Sequence, residues 1–225
     1  MKSTAVLTEF SDGRLYRNID IVKLNTCGCK GCSACCREKK ETIVLDPYDI
    51  WRLQIKAGLF FDLLLARHVR LTMVDGLVLP VLAMNGGPGE TCSFLNDEGR
   101  CNICDVRPGI CCIFPPDRRY ADGTSRYFLQ KKECKKTQEK NHFCKWINPS
   151  DLSGYEDYLC SWHAFKEQLM YLLKDAGDAL QKAASVYVLQ AFYSLPWDEK
   201  QGFYEQYEVR LSNAKAHFRF SDQPE

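Results

Sequence analysis

Four thiols fall within eight residues in the run Cys29-Lys-Gly-Cys32-Ser-Ala-Cys35-Cys36, and no other stretch constrains the chain as much. Two residues between successive cysteines let the backbone reverse, so that the thiols aim at one centre. That bite suits tetrahedral zinc and one face of an iron–sulfur cubane equally well. The spacing therefore marks Cys29, Cys32 and Cys35 as ligands rather than core residues without choosing the metal. Gly28 and Gly31 allow the backbone to come close and to donate N–H groups to sulfur. Such a loop leaves its coordination open, and a second run supplies more thiols: Cys92, then Cys101, Cys104, Cys111 and Cys112. Two cysteine-rich segments with ordinary globular sequence between them point to a folded metal-binding domain, not a flexible thiol tail.

Thirteen cysteines in 225 residues need an explanation beyond core stability, and the compartment decides which one. The chain reaches Glu9 and Asp12 without the apolar core of a secretory signal, and no run approaches ~18 apolar residues. A soluble cytoplasmic protein is expected. In a reducing compartment this pattern reads as metal-binding or catalytic, and an odd number of cysteines leaves one unpaired in any disulfide scheme. Thirty basic and twenty-nine acidic residues give a net charge of +1, which supplies no general attraction to nucleic acid or to an anionic membrane. The expected partner is an unidentified protein or small molecule. The basic stretch 131–140 is interrupted by Glu133 and Glu139 and reads as a solvated surface.

The rest of the sequence predicts an α+β chain. A short strand is expected around Ile19, Ile21, Val22 and Leu24, and another over 42–45. Asp46-Pro47 and Asp49 give an N-cap, a first-turn proline and a first-turn acid, with the helix ending at Gly58. A second helix is expected over 60–67, and Asp75-Gly76 joins two strands in a tight hairpin. The turn Asn96-Asp-Glu-Gly99 brings Cys92 near Cys101. Phe114-Pro115-Pro116 is expected to stop regular structure, with one more strand over 126–129. From Tyr155 the period turns helical in three stripes: Tyr155, Leu159, Trp162, Leu169 and Leu173; Leu180, Ala184, Tyr187 and Ala191; Phe203, Tyr207, Leu211 and Phe218. Residues 1–150 thus read as an irregular cysteine-rich metal domain with short strands and hairpins. Residues 151–225 read as a helical bundle packed on it.

The pattern Cys29-x2-Cys32-x2-Cys35-Cys36, Cys92-Ser-Phe-Leu95, Gly99-Arg-Cys101-Asn-Ile103 and Val106-Arg107-Pro108-x2-Cys111 with Phe114-Pro115 resembles the YkgJ-type cysteine-cluster family, proposed to chelate zinc or iron. The flagellin lysine methylases, longer proteins thought to hold an iron–sulfur cluster, share a distantly similar pattern. The resemblance implies Cys29, Cys32, Cys35, Cys36, Cys92, Cys101, Cys111 and Cys134 as metal ligands. It also implies a [4Fe–4S] cluster as cofactor, with zinc as the alternative. Cys104 and Cys112 stand where the family commonly has an aromatic and an arginine, and read as small buried residues near the cluster, with additional ligation as the alternative. Cys27, Cys144 and Cys160 have weaker claims, and His142 and His163 read as structural. Arg107 is the one charged residue placed to offset thiolate charge, or else to pair with a nearby acid such as Asp105.

Three readings of function follow. The first is a metal-cluster protein with a redox, structural or metal-handling role. The second is an iron–sulfur-dependent enzyme that modifies protein, such as a lysine N-methylase. The third is a zinc-stabilised interaction module. The sequence shows no Gly-rich nucleotide loop after a strand, no C-x3-C-x2-C spacing at the main site and no nucleophile–base pair.

Overall fold

The computed structural model describes residues 11–18, 20–25, 33–37, 42–86, 90–121, 123–130, 138–142 and 151–220; for 21–25 and 138–142 only the backbone course is described. The architecture is mixed α+β, as expected. The chain divides into two compact units, one built from residues 1–39 and 86–160, the other from 40–85 and 161–225. All thirteen cysteines lie in the residue ranges of the first unit. The sequence-based cut at 150 groups the residues differently, since here 40–85 fall with the C-terminal helices.

The first unit is held by antiparallel pairs. Strand Ile21–Asn25 pairs with Gln138–His142. Pro116–Ala121 pairs with Thr124–Leu129 in a hairpin, and Tyr16 exchanges two backbone hydrogen bonds of 2.8 Å with Tyr127 at its edge. The 114–116 segment corrects an expectation. A short helix, Gly109–Ile113, runs up to a cis Phe114–Pro115 peptide, and a strand starts at Pro116. Proline is tolerated there because the first residue of a strand can do without a ladder donor. The start of the long helix Leu152–Leu173 meets this hairpin at Tyr155, with Tyr158 and Leu159 also buried. Its Glu156 carboxylate accepts from the Tyr127 hydroxyl at 3.2 Å and from the Asn18 amide at 2.7 Å, and Arg118 donates to the Tyr155 hydroxyl at 3.1 Å.

The second unit follows its local signals closely. Asp46 and Asp49 form a reciprocal capping box at the start of helix Pro47–Ala57, Pro47 takes its first turn, and Gly58 ends it at φ +66°. Helix Phe61–Arg67 follows, then strands Val69–Val74 and Leu77–Leu82. Asp75 at φ +49° and Gly76 at φ +84° make the two-residue turn that matches strand twist. Of the expected 42–45 strand, the pairing of Val44 with Val81 is present, flanked by Leu45 N–H to Pro80 O and Leu82 N–H to Ile43 O, both at 2.9 Å.

Helices Asp178–Leu189 and Phe203–Phe218 complete the unit with the remainder of the long helix. Their cores are aromatic: Trp162, Phe165, Phe192, Tyr193, Phe203 and Tyr207 are buried. The first and third stripes bury the residues expected, except that Phe218 is only partly covered. The second is rotated. Leu180 is 52% exposed, and the covered positions are Ala184, Ser185, Val188 and Phe192. Ser185 causes the rotation: its hydroxyl accepts the Val78 N–H at 3.1 Å and donates to Gln181 O at 2.9 Å, so a polar residue faces the sheet. The helix then widens into a π segment, Gln190–Ser194, whose loosened end is held by Arg210. That guanidinium donates to Ala191 O and Leu195 O at 2.9 Å and to Pro196 O at 2.8 Å. Among the described residues no helix is long and apolar enough to cross a membrane.

Candidate metal centre

Two segments of the first unit bring thiols together. Cys35 and Cys36 sit on the 3-10 turn Ala34–Cys36, with their sulfurs 3.9 Å apart. The residue that leaves this turn, Arg37, pairs antiparallel with Thr91, the neighbour of Cys92. Cys92 leads into a small hairpin that carries Cys101 on its return. Leu95 bridges Cys101, the Leu95 N–H reaches Cys92 O at 2.9 Å, and Asn96 and Gly99 close the turn at 2.9 Å. Asn96 locks it further by accepting the Arg100 N–H on its side chain at 2.8 Å, while Gly99 takes φ +74°. A Cβ added at Gly99 would lie 3.7 Å from Ser33 Oγ, so the foot of the first cysteine turn rests against this second turn.

The thiols of the two segments feel one another's charge. The Cys36 thiol is pushed up first by its hydrogen bond with Cys35, then by burial, then by the charges of Cys35, Cys92 and Cys101. Burial also raises Cys92 and Cys101, and each is partly relieved by a backbone N–H two residues on, from Phe94 and Ile103 respectively. The charge of Arg107 also lowers Cys101. The arginine is anchored by its Nε to Cys104 O at 3.2 Å. Thiolates crowded into a half-buried place repel one another, and a bound soft cation is the direct remedy. The donor set therefore fits zinc or iron.

Of the eight expected ligands, Cys35, Cys36, Cys92 and Cys101 lie on these two adjoining segments. Cys111 is half-buried on helix Gly109–Ile113 beside Cys112, whose thiol points to Arg107 O at 3.4 Å. Cys29, Cys32 and Cys134 lie outside the described residues, as do Cys27 and Cys144. Cys104 is exposed, and Cys160 is half-buried in the long helix with Ser125 as its hydrogen-bond partner. Among the described residues no three His, Cys, Asp or Glu side chains are arranged to hold a metal ion as they stand. Sequence reasoning looked for sulfur-directed amides at Gly28 and Gly31 and missed Phe94 and Ile103. The signal was present in the repeated step from cysteine to an apolar residue two positions on, Cys92-Ser-Phe94 and Cys101-Asn-Ile103.

Two cysteine-bearing turns thus lie side by side in a small α+β unit. Residues 28–145 match the family named CxxCxxCC, "Putative zinc- or iron-chelating domain", and the chain belongs to that family. The similarity to flagellin methylases has no support beyond the motif resemblance. No curated protein and no solved structure matches the chain.

Proposed function

We propose that the chain is a thiolate metal-cluster protein. Cys29, Cys32, Cys35, Cys36, Cys92, Cys101, Cys111 and Cys134 would hold a [4Fe–4S] cluster, or zinc, in a redox, structural or metal-handling role. The observation that carries this reading is the Arg37–Thr91 pairing, which sets the Cys35–Cys36 turn beside the Cys92–Cys101 hairpin. When bound, an iron–sulfur group supplies one-electron chemistry and a cross-link, whereas zinc supplies the cross-link alone.

The protein's own contribution is orientation and charge. Phe94 and Ile103 amides stabilise the ionised sulfurs of Cys92 and Cys101, and Arg107 adds a fixed positive charge beside Cys101. The turn at Asn96–Gly99 fixes the separation of the two hairpin thiols. Eight thiols allow one four-sulfur site with spare ligands or two such sites. Purification under anaerobic conditions, followed by metal and acid-labile sulfide analysis, tests the assignment. Iron and sulfide in equal amounts support the cluster; stoichiometric zinc without sulfide assigns zinc; protein free of both metals overturns the metal reading.

A further inference from the structure

We propose that the second unit carries a ligand site of its own, for a small organic cation. A cleft of about 430 Å³ opens there, within the range of small-ligand sites. Phe60, Phe61 and Tyr193 give it aromatic walls, and Gln54, Asp62 and Ser194 contribute its polar atoms.

Those polar atoms differ in availability. Both ends of the Gln54 side-chain amide are engaged by Trp197, at 2.8 and 3.2 Å, and the Tyr193 hydroxyl donates to Leu45 O at 3.1 Å. Asp62 and Ser194 have no hydrogen-bond or ion-pair partner among the described residues. Among the described residues no Lys, Arg or His lines the cleft. A carboxylate without an ion-pair partner, lining the same cleft as aromatic rings, is a combination that holds an ammonium group, by direct charge and by the negative ring face. Phe60 stays 46% exposed at the rim while Phe61 beside it is buried, so an apolar body on the ligand would gain cover. Tyr193 and Ser194 reach the cleft from the π segment Gln190–Ser194, an irregularity found often at functional sites. The site uses no cysteine and goes beyond the metal reading.

Calorimetric titration of the full-length protein at low ionic strength, with phenethylamine, phenethyl alcohol and phenylpropionate, tests the proposal. The amine is expected to bind at least tenfold more tightly than the alcohol, and the carboxylate not at all. Asp62→Asn, at an exposed position, should weaken the amine about tenfold and leave the alcohol unchanged. Amide shifts should be confined to residues 54, 60–65 and 193–195. Equal amine affinity in wild type and D62N, shifts elsewhere, or no amine binding at millimolar concentration would overturn it.

Discussion

Arg37 and Thr91 pair across an antiparallel bridge although the whole of residues 38–90 lies between them, and this pairing sets one cysteine turn beside the other. A consequence follows for the thiols on either side. Cys36→Ser, Cys92→Ser and Cys101→Ser should each lower the metal content of anaerobically purified protein. Cys104→Ser should leave it unchanged, because Cys104 is exposed and engages Arg107 through its carbonyl, which the substitution keeps. Elemental analysis of the four variants checks this, and a C104S protein that loses metal would bring Cys104 into the ligand set.

Gly109 opens the helix that carries Cys111 and Cys112, and a Cβ there would overlap the Tyr155 hydroxyl and crowd Arg118 at 3.4 Å. Gly109→Ala is therefore expected to cost about 1–3 kcal/mol in urea unfolding. Gly86→Ala, with nothing within 4 Å, should cost far less. Adding Tyr155→Phe to G109A removes the overlapping oxygen and should recover part of the loss. No recovery would place the strain elsewhere.

Burial raises the Glu156 carboxyl above its ordinary value of 4.5, more than its partner Tyr127 and the charge of Arg118 lower it. A folded value above the unfolded one means the folded state binds the proton more tightly. The stabilisation is complete below the unfolded value and is lost as pH rises through the folded one. Unfolding free energy should therefore fall from pH 4 toward pH 7 more steeply in wild type than in Glu156→Gln. Parallel curves would show that the carboxyl does not titrate differently on folding.

Gln54 satisfies both backbone groups of Trp197 in the interior of the second unit. Gln54→Leu leaves a buried donor and a buried acceptor without a partner, at a cost on the order of 2–3 kcal/mol. Thermal unfolding would register this as a clear drop in Tm, and an unchanged Tm would mean that water replaces the side chain.

Metal removal should affect the two units unequally. A thiolate site contributes on the order of 10 kcal/mol to folding, comparable to the whole net stability of a typical domain. The second unit has an aromatic core of its own and no cysteine, so hydrogen exchange after chelation should rise over 91–103 and stay slow in helices Asp178–Leu189 and Phe203–Phe218. Uniform loss of protection would show that the second unit leans on the metal.

These expectations rest on features of unequal visibility in the sequence. Asp46-Pro47, Asp75-Gly76 and Asn96 through Gly99 were legible because a cap or a tight turn is specified by the residues that form it. The Cys35, Cys36, Cys92 and Cys101 group was legible in outline for the same reason, since the turn between Cys92 and Cys101 is local. The Arg37–Thr91 and Tyr16–Tyr127 pairings were not, because strand partners distant in sequence are chosen by register rather than by composition. The second helical stripe was misread because apolar periodicity has no way to count Ser185 as a buried residue. The π segment Gln190–Ser194 escaped for a related reason: it keeps a helical pattern and changes only the hydrogen-bond step.

Each compact unit is assembled from two separate stretches, so the chain passes from one to the other three times. During synthesis on the ribosome, the cysteine unit has all its parts once residue 160 emerges. The apolar strand Leu77–Leu82, made much earlier, must wait for helix Asp178–Leu189 before Val78 finds its Ser185 acceptor. Nascent chains halted between these points would carry a complete thiol unit and an uncovered hairpin. In that interval the apolar strand is without its helical cover while every thiol of the first unit has already been made.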